Sequence, residues 1–120
     1  MKKKVLIVED EPILAIMYRK GLERSGYEVS GVVFTGEDAV SEAGKLLPDI
    51  VVMDIILSGA MDGVEAAELI GREYGIPYVY VTGNNDQMTK SRALKTEPVD
   101  YLVKPVKISY LCEVINASFY

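Results

Sequence analysis

Four short apolar runs, rich in Val and Ile, each end in a polar side chain of the kind phosphoryl chemistry uses. Val5-Leu6-Ile7-Val8 runs into Glu9-Asp10, and Ile50-Val51-Val52-Met53 runs into Asp54. Tyr78-Val79-Tyr80-Val81 runs into Thr82, and Tyr101-Leu102-Val103 runs into Lys104-Pro105. Such runs, separated by helical patterns, read as buried parallel strands, because a strand covered on both faces is apolar at successive positions. An open parallel sheet gathers its strand carboxyl ends on one edge, where such folds bind ligands. Carboxylates, a hydroxyl and an ammonium that are far apart in sequence are therefore expected in one cleft.

The intervening segments fit that architecture. Pro12 opens a helix with Ile13, Leu14, Met17, Gly21 and Leu22 as its expected buried stripe, and Gly26 stops it. A strand from Tyr27 to Val33 follows. Thr35 caps a helix striped by Ala39, Val40, Ala43, Leu46 and Leu47, and Pro48-Asp49 turns the chain into Ile50. Val64, Ala67, Ile70 and Tyr74 mark the next helix, with Gly75 and Pro77 before the fourth strand. Residues 84–96 read as a weakly amphipathic helix with Met88 and Leu94 as its main apolar points. Ile108, Leu111, Cys112, Ile115 and Phe119 line the last helix, which makes Cys112 an expected core residue. The expectation is an α/β (βα)5 domain, a doubly wound parallel sheet in three layers. Periodicity leaves the strand order open. A chain of 120 residues suits a single domain, 1–120.

Composition narrows the function. The net charge is −5, there is no histidine, and no basic stripe is present, which makes a poor nucleic-acid binder. Lys2-Lys3-Lys4 reads as a solvated cap on the first strand. No apolar run is long enough for a membrane span, and no charged-then-apolar leader is seen, so neither a membrane partner nor a signal peptide is expected. The single Cys112 cannot form an internal disulfide, and a cytoplasmic location is the expectation. Without histidine the chain lacks the commonest general base and the commonest phosphoryl-accepting ring.

Asp54 is separated from the next helix, which begins near Gly63, by the loop Ile55 to Asp62. It does not cap that helix directly and can act as a nucleophile toward phosphorus. Glu9 and Asp10 join it if the first and third strands are neighbours. Packed carboxylates repel and raise one another's pKa unless a cation neutralises them, and a hard oxygen cluster without His or Cys suits Mg²⁺. The blander account of Glu9, Asp10 and Glu11, acids placed at a helix start, loses weight once Asp54 lies beside them. Thr82 supplies a hydrogen-bond donor and Lys104 a mobile positive charge for phosphoryl oxygens. Gly83 leaves room for the group, and Pro105 holds the Lys104 backbone extended across a bond that can be cis.

In order and at these separations, Val5-Leu6-Ile7-Val8-Glu9-Asp10-Glu11, Val52-Met53-Asp54, Met61-Asp62-Gly63, Val81-Thr82-Gly83 and Tyr101-Leu102-Val103-Lys104-Pro105 are highly specific. The chain resembles the receiver domain of two-component response regulators over essentially its whole length. The resemblance implies a flavodoxin-like strand order, 2-1-3-4-5. It implies that Asp54 accepts a phosphoryl group from a histidine kinase or histidine phosphotransfer protein. Glu9 and Asp10 would organise Mg²⁺, with Asp10 and Asp54 as ligands and the Ile56 carbonyl as a further one. Thr82 and Lys104 would hold the phosphoryl oxygens. Tyr101 matches the family's switch aromatic, which turns inward as Thr82 moves. Ile56 and Asn84 occupy the positions that tune autodephosphorylation. Such a domain is a self-catalysing phosphoacceptor rather than a turnover enzyme, and its output is a changed surface read by another protein or a second copy.

The chain departs from the usual pattern in two places. The loop Ile55-Ile56-Leu57-Ser58-Gly59-Ala60-Met61 is one residue longer than the common form and lacks its Pro, and Val106 stands where Phe is commoner. Three other readings compete. A haloacid-dehalogenase-type phosphohydrolase would carry its nucleophile on the first strand in an Asp-x-Asp pattern, which is absent. A flavodoxin-type electron carrier needs a Ser-, Thr- and Gly-rich loop after that strand, where this chain is acidic. A partner-binding receiver without phosphorylation has no need of the intact set Asp10, Asp54, Thr82 and Lys104.

Overall fold

The structure is a computed structural model and describes residues 2–120. The elements alternate as β1 (Lys4–Val8), α1 (Pro12–Arg24), β2 (Glu28–Val33), α2 (Gly36–Leu46) and β3 (Ile50–Met53). They continue as α3 (Gly63–Tyr74), β4 (Tyr78–Thr82), α4 (Gln87–Leu94), β5 (Tyr101–Val103) and α5 (Ile108–Phe119). The strands are parallel in the order β2-β1-β3-β4-β5, so the chain reverses direction across the sheet between β1 and β3. That reversal opens a crevice at the strand carboxyl ends. Register sets its floor: Val8 lies opposite Met53 and Thr82 opposite Val103, so the polar residues that follow sit at one level.

Side chains alternate across each strand, and in the interior strands β1, β3 and β4 both faces are buried and largely apolar. Val5 and Ile7 face a cluster with Tyr18 and Leu22 of α1 and Leu111 and Ile115 of α5. Leu6 and Val8 face a second cluster with Ala39, Ala43, Val64, Ala67 and Ile70 of α2 and α3. Helix ends follow their chemistry. Thr35 Oγ1 accepts from the Asp38 amide at 3.0 Å, and Asp62 and Glu65 form a reciprocal capping box at the start of α3. Gly63 has no substitute there, because a Cβ would overlap the Asp54 carbonyl oxygen. The Lys104–Pro105 peptide bond is cis.

Several expected details differ. In α1 the buried face is Ala15, Tyr18 and Leu22, while Ile13 is 75 % exposed and Met17 also faces solvent. The Tyr18 ring takes the place against the sheet that the aliphatic pattern assigned to its neighbours. Leu47 is the left-handed C-cap of α2 and is exposed, and Tyr74 lies at the surface over Gly44. Cys112 is only partly buried and accepts a hydrogen bond from Ser25 Oγ at 3.2 Å. The second strand begins at Glu28 rather than Tyr27.

The largest difference is in α4, which is shorter than residues 84–96. Met88 is 81 % exposed, Leu94 is exposed, and Ala93 is the one buried residue of the helix. Polar groups hold it instead. Thr96 Oγ1 donates to the Ala93 carbonyl at 2.6 Å, which spends its only proton. The 2.8 Å contact between Tyr80 and Thr96 hydroxyls is therefore donated by Tyr80. Tyr78 donates to the Thr96 carbonyl at 2.6 Å, and Arg92 pairs with Asp62, the N-cap of α3. Burial pushes the Tyr80 phenol above its ordinary pKa, against the opposing hydrogen bond to Thr96, so it stays a neutral donor.

Tyr80→Phe deletes a buried donor and keeps the ring. It is expected to cost about 1 kcal/mol in urea unfolding. Amide exchange at residues 93–97 should accelerate relative to the rest of the chain. Unchanged exchange there would show that the hydroxyl does not hold the helix.

Candidate functional site

The strand ends bring the expected groups together. The Glu9 amide donates to the Val33 carbonyl and the Asp54 amide to the Val8 carbonyl, each at 3.0 Å, so both acids continue the ladders of their strands. The Lys104 amide donates to the Thr82 carbonyl at 2.8 Å in the same way. Glu9, Asp10 and Asp54 each offer a carboxylate oxygen within a 4.8 Å group. A cleft of about 570 Å³ opens over them, lined by Asp10, Glu11, Asp54, Ile56, Gly83, Asn84 and Lys104.

The electrostatics turn on one ammonium. Lys104 Nζ donates to Asp54 Oδ2 at 3.0 Å and lies 2.8 Å from Glu9 Oε1. The Glu9 contact is an ion pair whose angles fall outside those of a hydrogen bond, so the buried Oε1 has no aligned donor. Burial raises the Glu9 pKa most, Lys104 pulls it back, and the Asp54 charge raises it further. For Lys104 burial acts downward, but the two carboxylates outweigh it and hold the ammonium above its usual range. Asp54 Oδ1 accepts from the Ile55 amide at 2.7 Å, and Glu9 Oε2 accepts from the Glu11 amide at 3.1 Å.

Thr82 is fully buried at the end of β4, and its Oγ1 accepts from the Asn84 amide at 3.2 Å. That hydroxyl makes no hydrogen bond to Asp54 or Lys104 among the described residues. Gly83 is open, with nothing near where a Cβ would stand. Ile56 is 59 % exposed on the rim, and Asn84 lines the same rim. Tyr101 is buried, its ring 6.0 Å from that of Tyr80 and its hydroxyl donating to the Asn84 carbonyl at 2.8 Å. The ring thus lies inward in this structure.

Two features escaped the sequence reading. Lys104 serves Glu9 as well as Asp54, which the excess of carboxylates over cations at the strand ends could have signalled. Ser58 Oγ donates to Asp10 Oδ2 at 3.2 Å, a contact that no local pattern marks.

An acid-lined crevice at the chain reversal of a 2-1-3-4-5 parallel sheet, with a lysine just after the last strand, defines a doubly wound α/β protein with its candidate site at the strand carboxyl edge. Residues 5–116 match the response regulator receiver domain, and the chain belongs to that family. It is 32 % identical over 117 residues to the chemotaxis protein CheY of Thermotoga maritima, covering 97 % of each chain. It is 30 % identical to the DNA-binding response regulator MtrA of Mycolicibacterium smegmatis, where 98 % of this chain spans 50 % of that protein. The signal receiver domain of a modulated diguanylate cyclase from Desulfovibrio desulfuricans G20 superposes with a TM-score of 0.92 at 41 % identity, covering 98 % of this chain and 93 % of that one.

Lys104→Met should destabilise the metal-free protein at neutral pH by up to about 3 kcal/mol, the lower end for breaking a buried pair. Glu9 then loses its counterion and its folded-state pKa rises further. A carboxyl whose folded pKa exceeds its unfolded value binds more protons when folded, so stability is regained as pH falls toward the folded pKa. Denaturant melts in a chelator between pH 7 and pH 5 check this; a deficit that does not shrink on acidification would refute it.

Proposed function

We propose that this chain is a phosphoacceptor receiver in which Asp54 takes a phosphoryl group from a histidine kinase or histidine phosphotransfer protein. The observation that carries the reading is the Asp54 carboxylate at the cleft floor, 3.0 Å from Lys104 Nζ and clustered with Glu9 and Asp10. An Asp54 oxygen attacks phosphorus, the bond from phosphorus to the donor's ring nitrogen breaks, and the nitrogen leaves with its electron pair. The product is an acyl phosphate, which water later hydrolyses at phosphorus. Lys104 is placed to hold a phosphoryl oxygen, and the free Thr82 hydroxyl proton is available to another.

The donor set fits Mg²⁺: only oxygens, two of the three carboxylates buried, and Glu9 Oε1 lacking an aligned partner. Asp10 and Asp54 would hold it with the Ile56 carbonyl, and Glu9 would orient the cluster. When bound, the ion neutralises charge between carboxylate and phosphate. The exposed aliphatic Ile56 cannot orient a hydrolytic water and crowds its approach, so the phosphoryl group should last longer than it would with a polar residue there. Asn84 shares that rim.

The output on this reading is a population shift at α4, β5 and α5, recognised by another protein or a second copy of the chain. Tyr101 in its inward position is the conformer that phosphorylation would favour. No nucleic-acid contact is assigned to residues 1–120, whose net charge is −5. These residues form one receiver unit, without turnover of a separate substrate. No helix among the described residues is long and apolar enough to cross a membrane.

With Mg²⁺ and a small phosphodonor, the protein should gain one base-labile phosphoryl group, and Asp54→Asn should gain none. Labelling of that variant at the wild-type rate would overturn the assignment. In the same assay Ile56→Asn should lose its label faster; equal or slower decay counts against the steric account. Beryllofluoride, a phosphoryl mimic, should raise amide protection across residues 84–101. A response confined to residues 55–62 would refute the switch route.

A further inference from the structure

The three clustered carboxylates are not held alike. Asp54 is fixed by the Ile55 amide and Lys104, and Glu9 by the Glu11 amide and Lys104. Asp10 is the half-exposed member, and among the described residues its carboxylate has one polar contact, Ser58 Oγ at 3.2 Å. Ser58 belongs to the longer loop that departs from the common receiver form. That loop is anchored from α2. Ser58 forms a parallel bridge with Thr35, the α2 N-cap, and the Ala60 amide donates to Glu37 Oε2 at 3.3 Å. Gly59 between them turns at φ 98°, which brings the backbone close under the Glu37 carboxylate.

We propose that Ser58 is a positioning residue for Asp10: its hydroxyl holds Oδ2 and leaves the rest of the carboxylate free for a divalent cation. A hydroxyl has one proton, and a carboxylate offers roughly four acceptor sites, so the bond restricts rotation without blocking coordination. Outer partners of this kind alter metal affinity by about 10–100-fold when removed. The exposed setting of Ser58 places it at the low end of that range. The α2 N-terminus, through Thr35 and Glu37, thereby takes part in building the cleft. The inference rests on the reading above that Asp10 holds Mg²⁺.

Calorimetric titration of the full chain with MgCl₂ tests it, using Ser58→Ala, Ser58→Thr, Asp10→Asn and the Ser58→Ala/Asp10→Asn double variant. Metal-free thermal melts accompany each titration. Ser58→Ala should raise the Mg²⁺ Kd about tenfold with an unchanged metal-free melt. Ser58→Thr, which keeps the hydroxyl, should stay near wild type. In the Asp10→Asn background Ser58→Ala should add nothing, because it acts through that carboxylate. Wild-type Mg²⁺ binding by Asp10→Asn would overturn the metal reading and this inference with it. Weakened binding by Asp10→Asn but wild-type binding by Ser58→Ala would overturn the inference alone, as would an undiminished Ser58→Ala effect in the double variant or failure of Ser58→Thr to rescue.

Discussion

One ammonium faces two buried carboxylates and a third beside them, and that imbalance organises the molecule's functional edge. Lys104 Nζ lies within 3.0 Å of both Glu9 and Asp54, yet leaves Glu9 Oε1 without an aligned donor. Removing charges from water costs several kcal/mol each, and their mutual attraction repays this only when the remaining lone pairs are also satisfied. Here they are not. With three carboxylates to one ammonium, an added cation would stabilise the cluster, and further negative charge on a carboxylate would disturb it. The fold bears the cost because the strand ladders place Glu9, Asp54 and Lys104, leaving them little freedom to move apart.

The same economy of apolar contact governs α4. The other helices bury two or more residues against the sheet, whereas α4 buries Ala93 and is otherwise held by hydroxyls and an ion pair. Hydrogen bonds are directional and individually worth about 1 kcal/mol, so such a helix can be re-seated at lower cost than one set in a packed apolar groove. The polar clamp lies on the side of the sheet that carries Tyr101, at the end of α4 away from the cleft.

The strands, their parallel arrangement and the convergence of Glu9, Asp10, Asp54, Thr82 and Lys104 were legible because four of the five strands are continuous apolar runs with a polar terminus. The strand order was not in the periodicity; the resemblance supplied 2-1-3-4-5, and the sheet has it. The α1 stripe was misphased because hydropathy ranks Ile13 and Met17 above Tyr18, while burial favours the larger ring. The weak amphipathicity of α4 was legible, but its bounds and the polar groups that hold it were not, and its main apolar points, Met88 and Leu94, are exposed. Contacts such as Ser58 with Asp10, or Tyr80 with Thr96, join residues in different elements, and no sequence period encodes them.

On the phosphoacceptor reading, the link between cleft and α4 runs through Asn84. Its amide donates to Thr82 Oγ1, and its carbonyl accepts from the Tyr101 hydroxyl. Thr82 therefore uses its oxygen as an acceptor and keeps its own proton uncommitted among the described hydrogen bonds. A phosphoryl oxygen on Asp54 would offer that proton a charged acceptor, and charge-assisted bonds are roughly twice as strong as neutral ones. Thr82 can turn toward it without first releasing the Asn84 amide, so the peptide after Thr82 moves with the side chain. The carbonyl that anchors Tyr101 belongs to the same residue. The Tyr101 ring meets Tyr80, whose hydroxyl holds Thr96 behind α4. A shift of the β4–α4 loop therefore reaches the first residues of α4 through the backbone and its far end through the tyrosines. Both ends of the helix that is least secured by apolar burial are coupled to the residue most exposed to new charge.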